Sequence, residues 1–145
     1  MGMKLDHIGL VVENIREFAE LLRTIGFREI TEAVPFDTLN VTASFVNTGD
    51  DTGVPIEVLE PTAENSPIWN FLKKKGGGLH HLCFEVDDIE RISRELVDKG
   101  FQMVTPPLDC RAYDTNLHRE SKTASRIAFF LVSKMLLIEL IEKGP

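Results

Sequence analysis

Two histidines and two glutamates recur in a doubled pattern, and their types and spacing suit one shared metal ion. Asp6-His7-Ile8-Gly9-Leu10-Val11-Val12-Glu13-Asn14-Ile15 lies over His80-His81-Leu82-Cys83-Phe84-Glu85-Val86-Asp87-Asp88-Ile89 at an offset of 74 residues (81 − 7), without a gap. The register continues until Gly26-Phe27 meets Gly100-Phe101. Ile56-Glu57-Val58-Leu59-Glu60 lies over Ile138-Glu139-Leu140-Ile141-Glu142 at an offset of 82 (139 − 57), so the second copy carries eight extra residues (82 − 74) before its last strand. Each copy begins with a strand bearing His and ends with one bearing Glu.

An isolated histidine near the start of a strand is usually a hydrogen-bonded structural residue. Recurrence of His and Glu together in both copies is what that reading leaves unexplained. Glu57 and Glu139 stand in apolar strands, where an inward carboxylate is costly unless a cation compensates it. His7, Glu57, His81 and Glu139 therefore make an N2O2 ligand set for one divalent ion such as Ni, Co, Mn, Fe or Zn. Six-coordination would leave two positions for water or substrate oxygens. His80 and Glu60 compete for the same roles, but strand alternation expects His80 on the face opposite His81, and Glu60 precedes Pro61 at a strand end.

The elements that must position these residues read as two β-α-β-β-β modules. Residues 4–12 alternate, with His7, Gly9 and Val11 on a polar-capable face and Ile8, Leu10 and Val12 on a core face. Asn14 and Glu17 read as a capping box ahead of an apolar stripe of Ile15, Phe18, Ala19, Leu22 and Ile25, which Gly26 stops. Strands are expected over 27–32, 41–46 and 55–60, with a turn over 47–53. Ser66-Pro67 reads as the start of a short joining helix. The expected organisation is one domain over 1–145: a first module over 4–61, a linker helix over 62–78 and a second module over 79–143. The fold class is α+β, with the paired modules forming a curled mixed sheet, a half-barrel around the metal site.

Length and a hydrophobic share of 43% suffice for one buried core. The formal charge of −7 argues against a nucleic-acid partner. The basic run Lys73-Lys74-Lys75 reads as a solvated helix end. No stretch has the length of a membrane helix and no signal-peptide pattern is present, so a cytoplasmic protein without membrane contact is expected. Cys83 and Cys110 give no disulfide framework, which suits a reducing compartment. Residues 106–125 match the first copy worst and read as a long loop or lid. Its Arg111, Tyr113, His118, Arg119 and Lys122 are candidate substrate contacts.

At Asp6-His7-Ile8-Gly9, Ile56-Glu57-Val58-Leu59-Glu60-Pro61, Ser66-Pro67-Ile68, Gly78 to Ile89 and Leu137-Ile138-Glu139-Leu140, the chain resembles the vicinal oxygen chelate superfamily. The likeness is greatest to its methylmalonyl-CoA epimerase and glyoxalase I branches. The resemblance implies paired βαβββ modules curled around the metal, commonly in a homodimer, with ligands at His7, His81, Glu139 and Glu57. Such epimerases usually carry a His-Pro-Lys turn before the last strand, which is absent from Asp114 to Lys122 and from Val132 to Met135. Some resemble a two-base design with an added carboxylate on the third strand of the first module, where this chain offers Thr42 and Ser44 as substrate-facing candidates.

The expected chemistry is proton transfer at a carbon next to a metal-chelated carbonyl, with Glu139 as base and Glu57 or a bound water on the opposite face. An acyl thioester would be epimerised; a hemithioacetal would be isomerised as in glyoxalase I. An extradiol dioxygenase, a metal-free binding protein, and a lyase or isomerase for another small molecule are the rivals.

Overall fold

The computed structural model describes residues 4–47, 53–134 and 136–145. Its elements are β1 (Lys4–Val11), α1 (Ile15–Ile25), β2 (Val34–Phe36), β3 (Val41–Val46), β4 (Ile56–Pro61), α2 (Trp69–Lys75), β5 (Gly78–Glu85), α3 (Ile89–Asp98), β6 (Gln102–Asp109), α4 (Arg111–Asn116), β7 (Arg126–Ser133) and β8 (Leu136–Glu142). The eight strands form one mixed sheet in the order β2-β3-β4-β1-β5-β8-β7-β6. This is the expected α+β architecture, a curled half-barrel. β1 runs parallel to β4, β5 runs parallel to β8, and an antiparallel β1–β5 seam joins the halves. Ile8 pairs with Leu82 in that seam, and these two residues are equivalent in the repeat, so a pseudo-twofold axis passes between them.

Helices α1 and α3 start where the sequence places them, because each has two separate anchors. Asn14 accepts the Glu17 N–H at 3.0 Å and Asp88 accepts the Arg91 N–H at 3.1 Å. Each first residue is held by the last strand of its module: Ile15 N–H donates to Glu60 at 2.7 Å and Ile89 N–H to Glu142 at 2.9 Å. Glu60 is thus a helix anchor, where an anion also suits the positive helix end. Gly26, at φ 115°, closes α1 in the left-handed region glycine tolerates best.

The apolar stripes pack on the outer face of the sheet. Ile15 and Leu22 of α1 bury against Val46 and Val58, and Ile89 of α3 against Ala128, Phe130 and Leu140. Full burial of a side chain the size of Ile89 is worth about 1.5–3 kcal/mol. A third cluster fills the hollow, where Cys110 and Tyr113 meet Phe45, Cys83, Ile127 and Ile141. Both faces of the seam are therefore buried, and the face carrying His7, Gly9 and Val11 is the deeper one.

Several expected segments differ. Residues 27–32 form no strand; a single bridge, Ile30 to Val46, and the Thr31 N–H to Phe45 O bond of 2.9 Å tie them to β3. Phe27 and Ile30 are three apart, not two, so no strand face gathers both. The short strand β2 follows at Val34–Phe36, on a sheet edge that tolerates Pro35. The joining helix begins at Trp69; Ser66 instead closes the preceding turn, its hydroxyl donating to Leu39 O and accepting from Ile68 N. Most of the expected 47–53 turn lies outside the described residues.

The 106–125 segment is not an open loop. β6 runs through Pro106 and Pro107 to Asp109, which an edge strand with register shifts permits, and α4 follows within the hollow. Asp114, 1% exposed, accepts Ser125 N–H at 2.8 Å and Ser125 Oγ at 2.6 Å and pairs with Arg119 at 2.6 Å. Arg119 also donates to Gly144 O at 3.0 Å, which fastens the segment to the C-terminal end.

Candidate metal centre

Two rows of residues cross the middle of the sheet. In one, Glu57 of β4 neighbours Gly9 of β1, which faces His81 of β5; in the other, His7 of β1 faces Cys83 of β5, which neighbours Glu139 of β8. The outer residues of each row stand two strands apart, about 9.5 Å. The middle residue is small in both rows, Gly9 or its repeat counterpart Cys83, so the flanking side chains can lean inward and meet.

They meet closely. His7 Nε2 lies 3.3 Å from Glu57 Oε1 and 3.0 Å from Glu139 Oε1; His81 Nε2 lies 3.2 and 3.1 Å from the same atoms. The two Nε2 atoms are 3.3 Å apart. His7 and His81 are almost fully buried, and the side chains of Glu57 and Glu139 are 15% and 7% exposed. Metal–ligand bonds of about 2.0–2.2 Å set neighbouring ligand atoms about 3 Å apart, which this cluster matches.

The tautomers point the same way. His7 Nδ1 lies 2.8 Å from Asp6 Oδ2, and a carboxylate in that position requires Nδ1 to carry hydrogen. Burial opposes charge on His7, but Cys83, Glu57 and Asp6 raise it well above its ordinary value, and a cation displacing that proton would meet the Nε2 lone pair beside the two glutamates. Glu139 Oε1 is buried and accepts no hydrogen bond, although both Nε2 atoms are within 3.1 Å. Two imidazole nitrogens and two carboxylate oxygens converging on a common point suit a cation held among them. Burial disfavours both carboxylates as ions, yet the two imidazoles hold Glu57 well below the usual carboxylate range and lower Glu139 as well. Burial likewise opposes charge on His81, but its contacts with Glu139 and Glu57 raise it. The cluster thus demands a positive charge, from protons or from a metal ion.

Bulges bring in two residues that alternation assigns elsewhere. The β1–β5 register shifts between Leu5 and His7 and between Gly9 and Leu10, so Asp6 and His80 are the extra residues. Both turn inward and are 7% exposed. His80 Nδ1 approaches His81 Nδ1 at 2.8 Å, so His80 shares the face of His81, contrary to the alternation argument. Burial, then the charge of His81, pushes the His80 pKa down to about 3. Asp6 and His80 occupy equivalent repeat positions, which was the available signal for both. Gly9 was also missed as a positional requirement: a Cβ there would fall within the His81 ring.

A cavity of about 150 Å³ opens beside the four residues, walled by Phe36, Val41, Ala43, Ile127 and Phe129 among others, with no Lys or Arg among its described lining. Of the candidate substrate contacts only Tyr113 lines it. Thr42 and Ser44 instead border an outer groove with Asn14 and Arg16, since the inward positions of β3 are Val41, Ala43 and Phe45. His118 borders a different open hollow. Arg111 is exposed and bonds Ser121 at 3.2 and 3.3 Å, Arg119 is bound to Asp114, and Lys122 is exposed. Burial raises both thiols, Cys110 to about 12, so neither is an activated nucleophile.

Residues 6–117 match the glyoxalase/bleomycin resistance protein/dioxygenase superfamily. The chain belongs to that superfamily. Within this vicinal oxygen chelate superfamily, it is 35% identical over 104 residues to the mitochondrial methylmalonyl-CoA epimerase of Dictyostelium discoideum, covering 71% of this chain and 61% of that protein. The chain thus spans less than two thirds of that relative's length. The methylmalonyl-CoA epimerase structure from Mycobacterium tuberculosis superposes with a TM-score of 0.77 at 25% identity, covering 97% of this chain and 88% of that one. A Streptomyces coelicolor methylmalonyl-CoA epimerase in complex with 2-nitronate-propionyl-CoA superposes with a TM-score of 0.75 at 27% identity, covering 97% and 94%.

Proposed function

We propose that this protein is a metal-dependent epimerase or isomerase that moves a proton at the carbon beside a chelated carbonyl, as a methylmalonyl-CoA-epimerase-like enzyme acting on an acyl thioester. The observation that carries the reading is the convergence of His7, Glu57, His81 and Glu139 beside an apolar cavity that Glu57, His81 and Glu139 help to line. One divalent ion, Ni, Co, Mn, Fe or Zn, held by these four would act as a Lewis acid that stabilises a developing enolate. The chain's own part is to place carboxylates at the reacting carbon. Glu139 takes the proton, and Glu57, from the other module and across the pseudo-twofold axis, serves the opposite face. The apolar wall excludes water and so keeps the proton between these groups.

The named relatives support a coenzyme A thioester as substrate. A glyoxalase-type isomerisation of a hemithioacetal is the second reading. It is favoured by the inner face of β3, where Val41, Ala43 and Phe45 offer no added carboxylate, because carrying a proton between adjacent carbons needs one base only. A homodimer and a cytoplasmic setting complete the proposal, supported by the family likeness and the free thiols Cys83 and Cys110. Among the described residues no helix is long and apolar enough to cross a membrane.

Incubation of metal-loaded protein with methylmalonyl-CoA in deuterium oxide tests the reading. One deuterium per thioester, seen by mass spectrometry, is expected. Conversion of a hemithioacetal to its thioester without exchange into methylmalonyl-CoA would select the second reading, and the absence of both exchange into the thioester and turnover of the hemithioacetal would refute both.

A further inference from the structure

Asp6 sits where four elements meet. Its Oδ2 accepts from His7 Nδ1 at 2.8 Å and from the Tyr113 hydroxyl at 2.9 Å. Its Oδ1 lies 3.1 Å from that hydroxyl and 3.1 Å from Lys143 Nζ, which also reaches Glu85 at 3.2 Å. Tyr113 comes from α4, Lys143 follows β8, and Glu85 ends β5. The Tyr113 ring is itself fixed, packing edge-on to Phe45 with centroids 5.8 Å apart. On the other side of the pseudo-twofold axis, His81 is backed by another imidazole, in the 2.8 Å contact with His80.

The geometry points to Asp6 as the positioning residue of the metal centre, with Tyr113 holding it in place. This rests on the metal-site reading of His7, Glu57, His81 and Glu139. Asp6 fixes the ring orientation of His7 and keeps hydrogen on Nδ1, so that Nε2 is always the atom presented to the cation. A carboxylate partner also makes His7 the more basic donor, whereas His81 is backed by an imidazole. The 106–125 segment then serves the site through α4 and Tyr113, not through its arginines. Removing such a partner typically weakens metal binding by about 10–100-fold.

Cobalt(II) affinity, measured on the full chain by competition with a chromophoric chelator, tests this without reference to turnover. Asp6→Ala is expected to bind about 10–100-fold more weakly than wild type. Asp6→Asn, whose amide oxygen still accepts the Nδ1 hydrogen, should recover part of that loss, and Tyr113→Phe should lie between Asn and wild type. The cobalt absorption spectrum should shift in Asp6→Ala, as a reoriented ring changes the ligand field. Should Asp6→Ala fail to fold, Asp6→Asn, which keeps the shape of the side chain and removes its charge, carries the test of Asp6. Wild-type affinity in every variant that folds would overturn the role of Asp6 while leaving the metal site standing. Failure of wild type itself to bind cobalt would instead overturn the metal-site reading, and this role with it.

Discussion

Gly9 faces His81 across the β1–β5 seam, and any side-chain carbon on Gly9 would occupy the space of the His81 ring. The backbone of Gly9 is not in the left-handed region, so the requirement is one of room and not of conformation. Gly9→Ala should push the ring from its position and weaken cobalt binding by about tenfold or more, in line with losses seen when ligand orientation is disturbed. A titration of the variant with cobalt(II) checks this. Wild-type affinity would show that the ring has another place to sit.

His80 predicts a pH dependence for the metal-free protein. Its ordinary pKa of 6.5 falls to about 3 on folding, through burial and the neighbouring His81 charge. A base with a depressed folded pKa stabilises the fold fully above its unfolded value and loses that contribution as pH falls from 6.5 toward 3, because the unfolded chain protonates first. Asp6, Glu57 and Glu139 are also depressed, but their ordinary values of 3.8 and 4.5 delay their losses to more acid solution. His7 and His81 are raised on folding and act oppositely, their contribution being full below 6.5 and lost as pH rises above it. Urea midpoints should therefore drop between pH 6 and 5, where the His80 loss prevails, and His80→Phe should flatten that slope. An equal slope in the variant would rule out His80 as its source.

Much of this was legible in sequence because duplication supplied an internal control. The offset of 74 residues paired His7 with His81 and helix with helix, and so the βαβββ order could be read without an alignment. What failed depended on bulges and edges. Asp6 and His80 turn inward only because the seam carries a register shift at each, and strict alternation cannot anticipate an extra residue. The run of β6 on to Asp109 was hidden by Pro106 and Pro107, acceptable only because β6 is an edge strand. Charge alone does not show its partner: Arg119 has the chemistry of a substrate clamp and is bound in the fold to the buried carboxylate of Asp114, which only the folded chain brings within reach.

That ion pair separates two arginines that the sequence ranks alike. Arg119→Ala would leave the Asp114 charge buried without its cation and should destabilise the fold by about 3 kcal/mol. Arg111, exposed and among the described residues bonded to Ser121 alone, should tolerate Ala within about 0.5 kcal/mol. Chemical denaturation of both variants measures the difference. Equal stabilities would contradict the structural role given to Arg119.

The metal centre itself is most directly tested by elemental analysis of protein purified without chelators and then exposed to Ni, Co, Mn, Fe or Zn. One divalent ion per chain is the predicted result, with occupancy lost in His81→Ala while the circular dichroism spectrum stays that of the folded wild type. Full occupancy in His81→Ala, or no bound ion in wild type with any of the five metals, would contradict it.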